Sequence, residues 1–401
     1  MHMLISFLLC LQAQQDNSQD LKERMEALER KVQDLEGKQA RTISANPDTI
    51  FNPRVTVFGN FLWRLDDRHV VIDTGDEVDD TVNVREVELD FRAAIDPYAD
   101  GVLIISLESE VPGEYEAGVE EFLINVKSLP VFFWEEPPLG TKIKLGRMRT
   151  EFGRNNRLHL HDLPQTNRPL VIEEFLGEEG HVANGASVQM FLPSPGDTAL
   201  ELTVQALQGG HIAVAQDPNH PAYLANLRLF MPVGDEHSFD VSLIGFYGTN
   251  DPDGRRQSRV LSLDALYRGK PLRAGESYSV VVGGQLFTAD HEFEEDTNGD
   301  GTPQPYESEP VGYTAWTQGQ FWKGVYFGVR WDHTEFLAND LRDRRKIQPS
   351  VSWYPSEFFR IRASFEHTWS DDRAEDELDT FLLEVNVVFG AHPIEPFWVN
   401  K

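Results

Sequence analysis

The sequence predicts an all-β fold, a transmembrane antiparallel β-barrel of about sixteen strands preceded by a short N-terminal coiled-coil helix. Three observations carry this prediction. Beyond Pro53 the chain repeats short segments of alternating apolar and polar residues, about eight to twelve residues apart and closed by turn residues. The connections between them alternate in length, tight ones on one side and long polar ones on the other. No run approaches the roughly eighteen apolar residues of a membrane helix, and alternating strands account for a membrane protein with 40% hydrophobic residues and a mean hydropathy of -0.40.

Residues 1–13, MHMLISFLLCLQA, have an apolar centre and a small residue, Ala13, at a cleavable position, and read as a signal peptide. Cys10 is the one cysteine and lies inside this segment, so the mature chain is expected to hold neither disulfides nor cysteine-metal sites. Residues 18–38 form the coiled-coil helix, because Leu21, Met25, Leu28, Val32 and Leu35 follow a four-three-four-three spacing with charged residues between them. So short a seam is weak alone and is expected to associate where something else gathers the chains. Residues 39–53, with Pro47 and Pro53, read as a linker.

The barrel is expected over 54–390, with 391–401 as a periplasmic tail. In its strands Val87, Leu89, Phe91 and Ala93 oppose Glu88, Asp90 and Arg92, and Phe239, Val241, Leu243 and Tyr247 oppose Asp240 and Ser242. Phe381, Leu383, Val385 and Val387 likewise oppose Glu384 and Asn386. Tight turns at 195–197, 234–235, 322–324 and 355–356 contrast with long loops expected at 154–183, 208–221, 248–257, 290–309 and 332–345. Trp63, Tyr247, Tyr267, Trp331, Trp353, Tyr354 and Trp369 sit near strand ends, as interface aromatics do.

The stretch 141–190 organises the rest. Lys142 and Lys144 alternate with Ile143 and Leu145, and a bulge at Gly146 would bring Arg147 and Arg149 onto the lysine face as a row of four cations. The loop that follows holds Leu158, Leu160, Leu163, Leu170, Val171, Phe175 and Leu176, too apolar to sit freely in water. On the strand count it is the third external loop. The segment LGRMRTEFGRNN resembles the pattern of the phosphate-selective porin O and P group, and HLHDLPQTNRPLVIEEFLGEEG resembles porin-like outer-membrane proteins, some described as zinc-regulated receptors. The resemblance is strongest over 140–190 and implies a bacterial outer-membrane porin, a passive diffusion channel for small hydrophilic solutes or ions, constricted by an inward-folded loop 154–183. The alternative is a surface-binding or metal-uptake barrel, zinc- or calcium-associated, without an open pore.

Candidate constriction residues are Lys142, Lys144, Arg147, Arg149, Arg154, Arg157, Arg168, Glu173 and Glu174. The arginines would either line the opening or pair with Glu173, Glu174, Glu178 and Glu179 to hold the loop. His159 and His161 are two apart and could share zinc with Asp162, Glu173 or Glu174, with His181 a further candidate. Asp296, Asn298, Asp300, Gly301 and Glu307 match a twelve-residue calcium-loop pattern, so Ca2+ is the one cofactor candidate. A net charge of -30 argues against nucleic acid. No nucleophile motif or paired-carboxylate constellation points to catalysis. The partners expected are outer-membrane lipid and lipopolysaccharide, small hydrophilic solutes and two further copies of the chain in a homotrimer. The overall charge favours cations, whereas the inward basic set of Lys127, Lys142, Lys144, Arg228, Arg268, Arg360 and Arg362 favours anions.

Overall fold

The computed structural model describes residues 53–69, 81–109, 114–129, 137–213, 220–251, 253–270, 277–295, 304–371 and 377–390. The segments 1–13 and 18–38, most of the linker and the tail lie outside these described residues, as do Asp296, Asn298, Asp300 and Gly301 of the calcium-loop pattern. The chain runs through β1 (Arg54–Asp66), β2 (Thr81–Asp96), β3 (Ala99–Glu108), β4 (Glu116–Val126) and β5 (Lys142–Arg149). A long insertion then carries the short helices α1 (Arg154–Arg157) and α2 (Leu170–Leu176). There follow β6 (Val182–Leu192), β7 (Ala199–Leu207), β8 (Ala222–Val233), β9 (His237–Thr249), β10 (Gln257–Gly269) and β11 (Ser279–Glu295). β12 (Gln304–Ser308), β13 (Val311–Trp322), β14 (Val325–Phe336), β15 (Asn339–Ser356), β16 (Phe359–Ser370) and β17 (Glu377–Gly390) complete it.

Each strand pairs antiparallel with its neighbour, and β17 returns to β1, from Thr56 opposite Gly390 to Asp66 opposite Thr380, so the sheet closes and leaves no edge. β12 lies beside residues 291–295 of β11 and β13 beside 279–288 of the same strand. They are one stave interrupted where Pro310 has no amide to donate, and the seventeen strands make a barrel of sixteen staves. Phe122, Leu243, Leu261 and Phe381 stand exposed on the outer face, while Thr203, Gln205, Asn226, Asp264 and Gln285 are buried on the inner one. A closed ladder satisfies its own backbone groups, and an apolar exterior over a polar interior is what lipid outside and water inside select.

Two expected loops carry strand in their described residues. β11 and β12 continue pairing through 291–295 and 304–308, and β14 and β15 meet at a tight turn at Leu337 and Ala338 inside the segment 332–345. There both faces carry charge, as in Asp340-Leu341-Arg342-Asp343-Arg344-Arg345, so hydropathy stops alternating although the ladder does not stop. Tyr354 is also not an interface residue: it is buried beside Tyr326, and the guanidinium of Arg360 lies 5.9 Å from its ring centre.

The register of β5 against β6 runs unbroken from Lys142 to Arg149, so Gly146 carries no bulge. Its role is closeness. Its φ of +130° is a glycine conformation, and an added Cβ would stand 2.1 Å from the Phe122 carbonyl oxygen of β4. Gly146→Ala is therefore expected to break the β4–β5 pairing and lower stability by about 1–3 kcal/mol or more. Gly196→Ala, at φ +59° with open space around it, should cost less. Denaturant unfolding of the detergent-solubilised barrel measures both, and equal midpoints would show that the close approach at Gly146 carries no weight.

Candidate functional site

Bulges do occur, but in β2 and β4 rather than in β5, where the sequence placed one. Between Asn60–Glu86 and Phe61–Val84 the β1–β2 register skips Arg85, and between Ile104–Glu121 and Ile105–Val119 the β3–β4 register skips Glu120. A bulge puts two consecutive residues where one belongs. Arg85 and Glu86, and likewise Glu120 and Glu121, thereby all reach the inner side, and Glu86, Glu88 and Glu120 are buried there.

The insertion between β5 and β6 enters the barrel. Phe152, Val171, Ile172, Phe175 and Leu176 form one apolar core with the inward residues Leu207, Leu224, Ile244, Phe246, Val260 and Phe287 of the wall. Gly153, at φ +99°, lets the chain turn behind Phe152: a Cβ there would stand 2.5 Å from Gln285 Nε2. Its backbone between 163 and 168 is neither helix nor strand, so its carbonyls need donors. Arginines of the wall supply them. Arg362 donates to the Leu163 carbonyl at 2.8 Å, Arg85 to Thr166 at 3.1 Å, and Arg330 to Asn167 at 2.6 Å and Arg168 at 3.1 Å. The Asn167 amide donates to Glu366 at 2.9 Å, and Thr166 and Ser364 hydroxyls pair at 2.9 Å. Glu384 balances the grip, 3.1 Å from Arg85, 3.4 Å from Arg360 and 3.1 Å from Arg362.

The row of four cations does not form. Arg147 shares the outward face of Leu145, and its Nε donates to the Val119 carbonyl at 2.7 Å. Arg149 is buried, bound to the Glu120 carboxylate and donating to the Glu179 carbonyl at 2.6 Å. Lys142 is exposed at the far end of β5, and Lys144 lies 3.8 Å from Glu151. The loop arginines pair neither with Glu173 and Glu174 nor with Glu178: Arg154 meets Asp240 at 3.0 Å, Arg157 meets Glu151 at 3.3 Å, and buried Arg168 donates to the Asn155 carbonyl at 2.8 Å. Burial, with Arg149 nearby, lowers the Arg168 pKa to about 10. The Glu174 carboxylate accepts from the Leu337 amide at 2.7 Å, fastening α2 to the β14–β15 turn, and burial raises the pKa of Glu173.

Exposure divides this charge into two classes. The side chains of Arg330, Arg360 and Arg362 are 0% exposed, whereas those of Lys144, Arg157 and Arg228 keep 37%, 27% and 29%. In the first class Arg330 and Arg362 grip the loop, and Arg360 shares Glu384 with Arg362. The second faces accessible space along β5 to β9, with the largely buried carboxylates of Glu151, Glu201 and Asp240 behind it.

Of the carboxylates the spacing suggested for His159 and His161, Asp162 is near and Glu173 and Glu174 are not; the others the rings meet come from β2 and β4. His159 Nδ1 lies 3.0 Å from Glu88 and 3.1 Å from Glu120, and its Nε2 lies 3.7 Å from Glu121. His161 stacks on Phe58 at 3.7 Å, with its Nδ1 3.5 Å from Glu88 and its Nε2 3.6 Å from Asp162. Burial opposes charge on both rings, but the carboxylate of Glu88 and its neighbours hold the His159 pKa well above the usual imidazole value, while that of His161 is lowered. Glu173 and Glu174 are occupied elsewhere, near Lys346 and Arg330 and at Leu337. Of the calcium-loop pattern only Glu307 is described, in β12 opposite Glu292.

His181 is structural. Its Nε2–H donates to the Gly209 carbonyl at 3.0 Å and its Nδ1 lies 3.0 Å from the Thr150 hydroxyl. Burial lowers its pKa to about 4 from 6.5, so the neutral ring is favoured in the fold. Its contribution is intact above pH 6.5 and is lost as pH falls from there towards 4, by at most about 3 kcal/mol. Protease protection of the 150–181 loop should fall across that window. In His181→Gln the fall should be flatter, and identical profiles would assign the acid response to other groups.

No protein-family profile matches the sequence. A curated relative, an uncharacterized protein of Aquifex aeolicus (strain VF5), is 25% identical over 357 residues, 79% of this chain and 70% of the relative. Among solved structures, the outer membrane channel DcaP of Acinetobacter baumannii superposes with a TM-score of 0.56 at 10% identity, covering 84% of this chain and 96% of that one. An anion-selective porin from Comamonas acidovorans and Salmonella typhi OmpF in complex with daunomycin each give 0.51, at 11% and 13% identity, over 84% of this chain and 100% and 98% of theirs. At such identities the likeness is one of fold. The fold is that of outer-membrane porins, and the closed barrel with its apolar exterior is a bacterial outer-membrane protein.

Proposed function

We propose that the protein is a porin-like channel through which small hydrophilic solutes or ions diffuse passively, narrowed by the loop 154–183. The carrying observation is the division of lumenal charge: fully buried arginines, of which Arg330 and Arg362 hold the loop, and a partly exposed set of cations, Lys144, Arg157 and Arg228, that borders accessible space and is backed by the largely buried carboxylates of Glu151, Glu201 and Asp240. Charged side chains beside a constriction set the sign and rate of passage. The resemblance of 145–156 to phosphate-selective porins supports an anionic solute, and the porin fold supports transport rather than catalysis. The apolar core around Phe152 and Phe175, which fills part of the lumen, favours as second reading a surface-binding or metal-uptake barrel with a closed pore.

Planar-bilayer recording separates the two. The channel reading expects stepwise openings and a larger unitary conductance on deletion of 158–180. It expects Lys144→Glu or Arg228→Glu to move the reversal potential towards cation selectivity, and Arg147→Glu, on the outer face, to leave it in place. A folded protein silent in the bilayer would sink this reading.

The assembly is proposed to be a homotrimer in lipid and lipopolysaccharide, supported by the heptad seam of 18–38. Cross-linking in detergent should give trimers that weaken when 18–38 is deleted while the barrel stays folded. Only monomer from the intact chain would refute it.

A further inference from the structure

The corner formed by the two bulges holds chemistry that neither loop-gripping nor permeation uses. Glu88 and Glu120, from β2 and β4, and His159, from the loop, bring one ligand atom each within 4.8 Å of one another. Glu88 is 1% exposed. Its Oε2, together with Glu120 Oε1, His159 Nδ1 and His161 Nδ1, is buried with no hydrogen-bond partner. The separations of 3.0 and 3.1 Å from His159 Nδ1 to the two carboxylates are short enough for hydrogen bonds, but the atoms are not aligned for them. Donors held about 2.0–2.1 Å from a tetrahedral ion stand about 3.3 Å apart, close to these spacings.

We propose that Glu88, Glu120 and His159 form a binding site for one divalent first-row transition-metal ion, zinc being the best match, that ties the loop to β2 and β4. One imidazole and two carboxylates are donors that zinc accepts, and an incomplete protein set leaves a position for water or for a further ligand. His161, 3.5 Å from Glu88, is placed to complete the shell or to orient that carboxylate. The Glu121 carboxylate, 3.7 Å from His159 Nε2, faces the ring's other nitrogen, as carboxylates beside metal-bound imidazoles do. Glu86 and Glu108 lie within the same distance of Glu120 and add two further carboxyl groups. The cations nearby are Arg149, bound to Glu120, Arg168, Arg85 beside Glu86 and Arg92, which Asp90 pairs, and they do not outnumber the carboxyl groups of Glu86, Glu88, Glu108, Glu120 and Glu121. On binding, the metal takes the lone pair of His159 Nδ1, and any proton held there leaves to solvent.

The test uses the full-length detergent-solubilised protein, stripped with chelator and titrated with zinc chloride. Calorimetry and metal analysis after desalting should give one zinc per chain with micromolar or tighter affinity. His159→Gln and Glu88→Gln should each weaken it by about 10–100-fold or more, while a His181→Gln control keeps it. Cobalt substitution guards against misfolding as an explanation, since the wild-type site should give a tetrahedral cobalt spectrum that zinc abolishes. No zinc retained by the folded wild type, or zinc binding unchanged in both ligand variants, overturns the site. The outcome is independent of the channel reading: a silent barrel that binds zinc refutes only the channel, and a conducting barrel indifferent to zinc refutes only the site.

Discussion

Irregular backbone inside a barrel must find hydrogen-bond donors, and most of this structure follows from how the loop's carbonyls find theirs. A buried carbonyl without a partner costs about 1–3 kcal/mol, and a charge-assisted bond contributes about 1.5–3 kcal/mol. Four such bonds, from Arg85, Arg330 and Arg362 to Leu163, Thr166, Asn167 and Arg168, fix the segment with no regular structure of its own. Arginine suits the task because its planar fork reaches two acceptors at once, as Arg330 does across consecutive carbonyls.

Those guanidinium groups bring their own demand, since charge withdrawn from water needs an opposite charge. Glu384 answers three arginines, and Asp332, 2.8 Å from Arg330, answers the fourth. The lumen is thereby polarised in function as well as in charge. One arc, β13 to β17 with β1 and β2, is committed to holding the loop. In the arc from β5 to β9 buried Asp240 pairs with the loop's Arg154, while the cations Lys144 and Arg228 stay partly in water, free to interact with whatever passes.

The barrel was legible because lipid imposes a period of two on every stave, and the strands around Glu88, Asp240 and Glu384 face inward as their alternation requires. Legibility ended where lipid ended. Beyond the apolar band β14 and β15 continue through Asp343, Arg344 and Arg345 with charge on both faces, and alternation carries no information there. The inward loop was recognisable from its length and apolar content, but its partners were not. Arg330 and Arg362 are separated from it by well over a hundred residues of sequence, and no local spacing ties them to Leu163 or Asn167. The bulges did leave a trace. Arg85-Glu86 and Glu120-Glu121 are consecutive charged pairs that interrupt alternating segments, and this is a better signal for an inward bulge than a glycine. Gly146 answered instead to a close approach of two backbones.

The two bulges also explain why acid concentrates at one corner. A regular strand offers the lumen one side chain in two, so neighbouring carboxylates on one strand stand about 7 Å apart. An extra residue removes that spacing, and two bulged strands on either side of β3 bring Glu86, Glu88, Glu108, Glu120 and Glu121 around a single point. Such density is costly unless positive charge is supplied. Arg149 supplies part of it from the end of β5, Arg85 and Arg92 of β2 add to it, and the loop contributes His159. The loop is thus fastened twice, by its carbonyls to arginines on one side and by an imidazole to carboxylates on the other. The second fastening depends on what occupies the histidine, so the charge state of that corner and the position of the loop are one equilibrium.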